Sequence, residues 1–409
     1  MYRSVKFSVL FLLFSFSISA QQISGPNLKK YIKYLASDKL KGRATGSREE
    51  LTAANYIAQS FKKSGLQPKG NINSYFYSYK FKKPKDPHDT VGGEPVSALN
   101  VAGYLDNGAE NTIVIGAHYD HLGMGHDHNS LDANPEGKIH NGADDNASGT
   151  AGVMELARYF SQNNRKEKYN FLFICFSGEE LGLFGSKKFC ENPTIDLSKV
   201  NYMINMDMIG RLNDSTKKLI IYGVGTAPDW VPMIERISSP FSIKKDSSGI
   251  GPSDQTSFYL KDLPVLHFFT GQHADYHKPG DDFEKINYEG EKQVLEYIIK
   301  IVEETEKLPK LVFQKTKTSE KDTPKFKVTM GVMPDYTYEG KGMRVDGVTD
   351  GKPASKAGII KGDVVVKLGE QNVESMMDYM KALANITKGQ TVEAIVLREG
   401  KEVKLNVTF

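Results

Sequence analysis

The chain has 409 residues, which exceeds the size of one ordinary domain and suggests two domains, each with its own hydrophobic core. Its 53 basic and 50 acidic residues leave a net charge of only +3, so nothing in the charge balance indicates nucleic acid or an anionic membrane as a partner. Two cysteines, Cys175 and Cys190, are too few for a disulfide framework or a cysteine-rich metal site. Cys175 lies in an apolar run typical of a buried strand, and a single bridge between the two cysteines is an open alternative.

The first 20 residues have the pattern of a secretory signal peptide. Arg3 and Lys6 precede an apolar run that ends in small residues, with a predicted cleavage after Ala20. The alternative is a retained membrane anchor, but the run is shorter than the roughly 20 residues that span a bilayer. We therefore expect an exported protein, periplasmic or secreted, with no transmembrane anchor after cleavage.

The pattern of the next three hundred residues predicts an α/β fold. Helical spacing appears over residues 26–35, and a capping box at Ser47 predicts a second helix that ends at Gly65. Residues 68–95 have no period and are interpreted as a loop or short edge strands. Beyond them, apolar runs alternate with helical patterns, which indicates a mostly parallel central sheet with helices on both faces. The predicted strands are 100–105, 112–117, 170–176, 202–206, 219–222 and 264–269, and the predicted helices are 147–162, 181–191, 227–239 and 288–307.

A second, smaller domain is predicted at the end of the sequence. Residues 307–325 are polar, charged and proline-containing, as in a linker. They would separate a first domain over residues 21–306 from a small β-rich domain over residues 326–409. The small domain has predicted strands at 327–332, 343–348, 363–368, 391–397 and 402–408 and predicted helices at 354–357 and 376–384.

Side chains of the kind that bind metals follow four of the apolar runs, at the point where each run ends. They are His118 and Asp120, Glu179 and Glu180, Asp207, and a group formed by His273, Asp275 and His277. A turn of small residues before the helix at 147–162 adds Asp144 and Asp145, for which a plain surface turn is the alternative. Because the carboxyl ends of parallel strands meet at one edge of a sheet, we expect these side chains to lie together.

Oxygen and imidazole ligands without thiolate favour Zn²⁺, with Mn²⁺ or Co²⁺ as substitutes. Two histidines and several carboxylates exceed what one tetrahedral ion needs. A two-metal site is the economical interpretation, with one histidine and one carboxylate on each ion and one carboxylate bridging both. Glu179 and Glu180 would supply both a ligand and a base that takes the proton of an attacking water, because neighbouring side chains at a strand end point in different directions.

Five motifs in this order resemble the motif set of the co-catalytic zinc exopeptidases, which include secreted leucyl aminopeptidases and glutamate carboxypeptidase. They are His118-x-Asp120, the run from Gly142 to Gly149, Glu179-Glu180-x-Gly182, the run from Asn205 to Met208, and Tyr276-His277-x-Pro279-x-Asp281. The similarity covers about residues 27–305. The resemblance implies five metal ligands: His118 and Asp207 on one ion, Glu180 and His277 on the other, and Asp145 between them.

The same resemblance implies roles for the residues around the metals. Glu179 would be the general base, and Asp120 would orient His118 through its second ring nitrogen. Tyr276 resembles a residue that stabilises the oxyanion of the reaction in part of the family. Asp144 would be structural, and the peptide bond after Asp145 would be cis.

Other polar residues have weaker signals. The histidines of the glycine- and aspartate-rich loop are expected to face solvent or to gate the cleft: His121, His126, His128 and His140. His267 lies inside an apolar run and is expected in the core, while His273 is undecided. Asp254 stands in a run that resembles a pocket-lining loop of the family and would meet a free amino terminus, and a helix cap is the alternative.

The small domain resembles a PDZ domain of the bacterial protease type. Residues 331–334 would stand where the carboxylate-binding loop lies, which makes Gly331 and Val332 candidate peptide-binding residues. PDZ domains bind the C-termini of peptides by adding a strand to a sheet edge. This loop departs from the usual Gly-Leu-Gly-Phe form, and a module that only covers the first domain is the alternative.

The pattern as a whole favours an exported two-zinc aminopeptidase that acts on peptides. One alternative is a carboxypeptidase or a glutaminyl cyclase-like enzyme on the same scaffold, and the cyclase branch uses one zinc. Another is a non-catalytic peptide-binding protein whose active part is the PDZ-like domain. Inactive relatives typically lose ligands, and none of the implied ligands is missing from this sequence.

Overall fold

The computed structural model describes residues 22–83, 93–127, 129–316, 328–335, 338, 340–348 and 351–409. The predicted signal peptide, His128 and the second half of the predicted linker lie outside the described residues.

Up to residue 316, the described chain folds into a nine-stranded sheet with helices on both faces. The helices are α1 (Gly25–Leu35), α2 (Arg48–Lys63), α3 (Gly149–Gln162), α4 (Phe184–Glu191), α5 (Trp230–Arg236), α6 (Gln255–Tyr259) and α7 (Tyr288–Thr305). The strands are β1 (Gln67–Pro68), β2 (Phe76–Lys82), β3 (Pro95–Leu105), β4 (Asn111–His118), β5 (Tyr169–Phe176), β6 (Val200–Met206), β7 (Lys218–Tyr222), β8 (Ser242–Lys245) and β9 (Val265–Phe269).

The four central strands are parallel, they are flanked by antiparallel pairs on both sides, and the edge strand β8 pairs parallel with β7. Their order is β1-β3-β5-β4-β6-β9-β7-β8, and β2 pairs with the first part of β3, from Pro95 to Val101. Strands β5, β4, β6 and β9 run parallel to one another, whereas β3 and β7 run against their central neighbours. The predicted α/β fold is confirmed, and the carboxyl ends of the four central strands share one edge.

Two hydrophobic cores lie on the two faces of the sheet. In β5 every residue is buried, as expected for a strand covered on both faces. Phe171 and Phe173 pack into the core that contains α1, α2, α3, α5 and α7, while Leu172 and Ile174 pack into the core that contains α4 and α6. Full burial of one such side chain stabilises the fold by about 1.5–3 kcal/mol, so the central strands are firmly anchored.

Strand β2 lies within residues 68–95, for which the sequence predicts a loop or short edge strands. It pairs with β3 along its whole length, from Phe76 opposite Val101 to Lys82 opposite Pro95. Tyr77, Tyr79 and Phe81 are buried, and the residues between them are exposed. The alternation typical of a half-buried strand is therefore present in the sequence, but the surrounding lysines and prolines obscure it.

The first part of the predicted linker packs along the sheet domain. Leu311 is 5% exposed, and its N–H donates a hydrogen bond of 2.8 Å to the Asn201 side chain. Phe313 packs against the core that contains α4 and α6, and the Thr316 N–H donates to the Tyr259 hydroxyl at 3.0 Å. Residues 307–316 therefore do not form a free spacer, because Leu311 is buried against this domain and Phe313 packs on its core.

The described residues from 328 onward form a second sheet with its own core. Its strands are β10 (Val332–Pro334), β11 (Met343–Val348), β12 (Val364–Leu368), β13 (Gln371–Asn372), β14 (Thr391–Arg398) and β15 (Lys401–Thr408), and its helices are α8 (Pro353–Ala357) and α9 (Met376–Ala384). The order is β10-β11-β12-β14-β15, with β13 beside β12, so β10 is a terminal strand. Gly331, with φ of +75°, leads into β10 and Val332 begins it.

Across the described ranges, no helix combines the length and the apolar character that crossing a bilayer requires. Both cysteines, Cys175 in β5 and Cys190 in α4, are buried free thiols.

Candidate metal centre

The carboxyl ends of the central strands bring the five predicted ligands to one edge of the sheet. Strand β4 ends at His118, and Asp207 follows β6 directly. Glu180 stands in the turn after β5, His277 in the loop after β9, and Asp145 in the turn before α3. His118, Asp207, Glu180 and His277 lie at or after the ends of buried strands, and Asp145 precedes the buried helix α3, which is why these polar side chains meet here.

Asp145 lies between two histidines, and each of its oxygens faces a different one. Oδ1 is 3.3 Å from His118 Nε2, and Oδ2 is 3.1 Å from His277 Nε2. Asp207 Oδ1 lies 3.4 Å from His118 Nε2, and Glu180 Oε2 lies 3.1 Å from His277 Nε2. The five side chains therefore form two groups that have Asp145 in common.

The separations between these donor atoms fit tetrahedral zinc. Two donors on one tetrahedral ion, with bonds of about 2.0–2.1 Å, lie about 3.3 Å apart. The four separations of 3.1 to 3.4 Å around His118 and His277 are close to that value. His118 Nε2 and Asp207 Oδ1 are also buried with no hydrogen-bond partner among the described residues, which is costly unless a cation binds them. The donors present therefore suit zinc.

The pKa values of two carboxyl groups in this centre are shifted in opposite directions. Burial raises the pKa of Glu179 well above its usual range, and repulsion by Asp207 and Glu180 adds to the rise against the opposing effect of His118. Burial also raises the pKa of Asp145, but His118 and His277 outweigh burial and hold it well below its usual range. Carboxyl groups whose environments push their pKa values apart are typical of acid–base sites.

Two other acids, Asp281 and Asp144, hold the turn that carries Asp145 by accepting hydrogen bonds from backbone N–H groups. Asp281 Oδ2 accepts hydrogen bonds from the backbone N–H groups of Asp144 at 2.9 Å and of Asp145 at 3.0 Å. Asp144 Oδ1 accepts a hydrogen bond of 2.7 Å from the Gly210 N–H. His273, undecided from the sequence, lies with its Nε2 3.2 Å from Asp144 Oδ2. Asp144 thus supports the turn, and the Asp145–Asn146 peptide is cis as the resemblance implies.

Arg43 is a buried cation beside this centre that sequence reasoning missed. Its guanidinium donates to four backbone carbonyls, those of Leu35 (2.5 Å), Tyr119 (2.7 Å), Asn141 (2.7 Å) and Gly142 (3.0 Å). It thereby ties the end of β4 to the turn before Asp145. Burial lowers its pKa to about 10. A single arginine in a polar stretch carries no signal for such a role.

Asp120 lies beneath Glu179 and beside His118. Its Oδ1 accepts a hydrogen bond of 3.2 Å from the Glu179 N–H, and its Oδ2 accepts one of 2.8 Å from the Thr45 hydroxyl. His118 Nδ1 lies 3.2 Å from the Asp120 backbone oxygen and 3.7 Å from Oδ1. Asp120 is therefore placed both to orient His118 and to hold the backbone of Glu179.

A cleft opens over the metal centre. Its apolar walls include Met208, Tyr222 and Phe269, with Tyr276 next to His277. The Tyr276 ring stacks on the His277 ring with 4.0 Å between centroids. His267, predicted in the core, is 2% exposed, lies with its Nδ1 3.1 Å from the Asn205 side-chain nitrogen, and also reaches the wall of the cleft. Burial lowers the pKa of His267 to about 4, so its ring is neutral at pH 7.

Asp254 is not among the described residues that line the cleft. It stands immediately before α6 but its side chain does not cap that helix. It is fully buried, and burial raises its pKa to about 7. A contact between Asp254 and a free amino terminus stays a prediction.

The expectation for the loop histidines is wrong at two positions. His126 is exposed, as expected, but His121 and His140 are only 2% and 0% exposed. Backbone hydrogen bonds fold the loop onto an earlier segment, since the Gly123 N–H donates to the Gly42 oxygen at 3.0 Å. His140 Nε2 then lies 2.7 Å from the Ser130 hydroxyl, and His121 Nδ1 lies 2.7 Å from Glu180 Oε1. Adjacency to the His118-x-Asp120 motif was the one sequence signal for His121.

Comparison with known proteins agrees with this geometry. A family model described as peptidase family M28 matches residues 100–302, and a PDZ domain model matches residues 316–409. Aminopeptidase YwaD of Bacillus subtilis (strain 168) is 28% identical over 196 residues, an alignment that covers 44% of this chain and 42% of the relative. The chain thus spans less than half the length of that curated relative.

Solved structures share the fold. The zinc aminopeptidase BSAP from Bacillus subtilis has a TM-score of 0.53 at 17% identity, over 73% of this chain and 97% of that chain. The glutaminyl cyclase from Bacteroides thetaiotaomicron has a TM-score of 0.55 at 17% identity, over 69% of this chain and 99% of that chain. Residues 100–302 therefore form a domain of peptidase family M28, and a PDZ domain follows it in the chain.

Proposed function

We propose that the protein is an exported aminopeptidase that uses two zinc ions to remove N-terminal residues from peptides. The observation that carries the proposal is the position of Asp145, whose two oxygens face His118 and His277 separately. A bridging carboxylate needs this arrangement. His118 and Asp207 would hold one ion, and Glu180 and His277 would hold the other.

When bound, the two ions would polarise the scissile carbonyl and lower the pKa of a water molecule. Glu179 is the group that can move the proton, because its Oε2 lies 3.9 Å from His118 Nε2 and its side chain borders the cleft. It takes the proton from the attacking water and gives it to the leaving amine.

Tyr276 is the residue that would stabilise the oxyanion. Its ring stacks on the ring of His277 and lines the cleft, so its hydroxyl would interact with the negative charge that develops on the carbonyl oxygen of a substrate. Asp120 holds Glu179 by the backbone, so the base keeps its place when the substrate binds.

The charge of the cleft favours an aminopeptidase over a carboxypeptidase. Its described lining residues include Asp145, Glu179, Glu180 and Asp207, and no lysine or arginine lies among them. A carboxypeptidase needs a cation to bind the C-terminal carboxylate of its substrate, whereas acidic side chains attract a protonated amino terminus. The apolar walls would receive the side chain of the N-terminal residue.

A panel of small peptides tests this assignment. We expect the zinc-loaded protein to release the N-terminal residue from peptides with a free amino group and to act at least about 100-fold more slowly on their N-acetylated forms, since acetylation removes the charge that the acidic cleft attracts. Amidation of the C-terminus is the matched control and should leave kcat/KM nearly unchanged. Equal rates on free and acetylated peptides, or a rate that falls on amidation, would contradict the assignment.

The second candidate activity is a glutaminyl cyclase, because the fold is shared with the glutaminyl cyclase from Bacteroides thetaiotaomicron. A cyclase centre binds one zinc, whereas the donors around both His118 and His277 have separations that suit an ion. A metal-to-protein ratio of one, with turnover of N-terminal glutamine, would favour the cyclase.

The remaining parts of the proposal concern location and partners. Export rests on the signal-peptide pattern of residues 1–20. The PDZ domain would bind the C-terminus of a peptide beside β10, because a terminal strand leaves one edge available for an added strand. Gly331 and Val332, at the beginning of β10, are the residues that such a carboxylate would approach.

A further inference from the structure

We propose that His121 is a positioning residue for Glu180: it binds one carboxylate oxygen and thereby directs the other toward the metal. The inference rests on the proposed function, in which Glu180 and His277 hold the second ion. It concerns a residue that the five motifs do not include and that the sequence analysis expected at the surface.

The two oxygens of Glu180 have different partners. Oε1 lies 2.7 Å from His121 Nδ1, and Oε2 lies 3.1 Å from His277 Nε2. A hydrogen bond of 2.7 Å to a carboxylate is in the range of charge-assisted bonds. Since one oxygen is fixed by this bond, rotation of the carboxylate is restricted, and Oε2 stays on the side of His277 and Asp145.

His121 can serve as an anchor because its own position is fixed. Its backbone N–H donates to the Arg43 oxygen at 3.2 Å, and its ring is buried. The ring packs against Gly142, where an added Cβ would come within 2.4 Å of the His121 ring. On the other side the ring meets the His277 ring edge-on, with 5.9 Å between centroids. The Arg43 guanidinium binds the Gly142 oxygen, so the same residue holds His121 through its backbone carbonyl and Gly142 through its side chain.

Direct coordination is the competing role, because His121, Asp145 and Glu180 are close enough to share one ion. The donor separations argue against it. His121 Nδ1 is 2.7 Å from Glu180 Oε1, shorter than the separation of about 3.3 Å between donors on one tetrahedral zinc, and it is 3.9 Å from Asp145 Oδ2. His277 Nε2, at 3.1 Å from an oxygen of each acid, meets the requirement of a ligand better.

The inference is tested by titrating the metal-free protein with Co²⁺. The visible absorption is recorded as each equivalent of Co²⁺ binds, and the dissociation constant of each equivalent is determined. The variants are His121→Ala, which removes the donor, and His121→Asn, whose amide nitrogen lies near the position of Nδ1. Loss of a residue that orients a metal ligand typically weakens metal binding by 10–100-fold. We therefore expect His121→Ala to weaken one of the two equivalents by about that factor and to change its absorption, with the other equivalent unchanged.

Rescue distinguishes positioning from coordination. The asparagine variant should recover most of the lost affinity and the wild-type absorption. His126→Ala, which removes an exposed histidine of the same loop, is the control and should bind both equivalents as wild type does. The melting temperature of each metal-free variant shows whether it folds, and the asparagine variant tests the inference by itself if the alanine variant does not.

Three outcomes would overturn the inference. The first is wild-type affinity and absorption in a folded His121→Ala variant. The second is equal loss of one equivalent in the alanine and asparagine variants, which would make His121 a ligand. The third is a single Co²⁺ equivalent in wild type, which would show that the proposed two-metal function has failed and the inference with it.

Discussion

Replacing Glu179 with glutamine is expected to lower kcat on a free dipeptide by about 10²–10⁴-fold while both zinc ions stay bound. The amide has nearly the shape of the carboxylate but cannot accept the proton of the attacking water. Because Glu179 is not one of the proposed ligands, the metal centre keeps its donors. The measurements are steady-state kinetics and metal analysis of the same preparation.

The matched control for this variant is Glu191→Gln, which makes the same chemical change at an exposed position of α4. It should leave kcat and metal content at wild-type values. If Glu179→Gln retained activity near that of wild type with both ions bound, the role of Glu179 as the base would be wrong. If it lost metal, Glu179 would be a ligand.

Asp145→Asn is expected to lose metal as well as rate. Asparagine offers one carbonyl oxygen and no charge, so it cannot face both His118 and His277 with an anionic oxygen, as Asp145 does at 3.3 and 3.1 Å. The metal content should fall below two ions per chain. The value of kcat/KM should decrease by at least about 100-fold, because each lost metal removes several kcal/mol of transition-state stabilisation. Metal analysis after dialysis and kinetics without added zinc measure the two effects.

The neighbouring variant Asp144→Asn separates the two acids of the turn. Asp144 accepts a hydrogen bond from the Gly210 N–H and faces away from the proposed metals, so its replacement should lower thermal stability more than metal content. Equal metal content in Asp145→Asn and wild type would overturn the assignment of Asp145 as the bridge.

The meeting of the candidate ligands at one edge of the sheet could be predicted because its signals are local. His118 and Asp207 stand where buried apolar strands end, and the position of a strand end follows from the chain around it. Parallel pairing of β4, β6 and β9 then brings those ends together without any further information. The resemblance to zinc exopeptidases added the division of the ligands between two ions.

The surroundings of the ligands depend on contacts between distant parts of the sequence. Three of the four carbonyl groups that Arg43 binds follow it by 76 to 99 positions, so no local pattern marks its role. His121 is buried because its loop pairs with the Arg43 segment, whereas glycine and aspartate in its sequence indicate an exposed loop. Asp254 is in the same class, since a helix-cap sequence does not reveal that the side chain is fully buried.

The composition of the sequence around β2 and around residues 307–316 does not indicate how these segments pack. Tyr77, Tyr79 and Phe81 alternate correctly for a strand, but Ser78 and Lys80 between them, and the lysines that follow, are typical of a solvent-exposed loop. Leu311 lies in a polar, proline-containing stretch and is nevertheless buried. In both places a few apolar side chains, and not the average composition, decide the structure.

The central claim, a two-zinc aminopeptidase, is tested most directly by titrating the metal-free protein with zinc while following release of the N-terminal residue from a free peptide. We expect that the metal-free protein is inactive, that zinc binding saturates at two equivalents per chain, and that full activity is reached at the second equivalent. Saturation of binding and activity at one equivalent, or turnover by the metal-free protein, would contradict it.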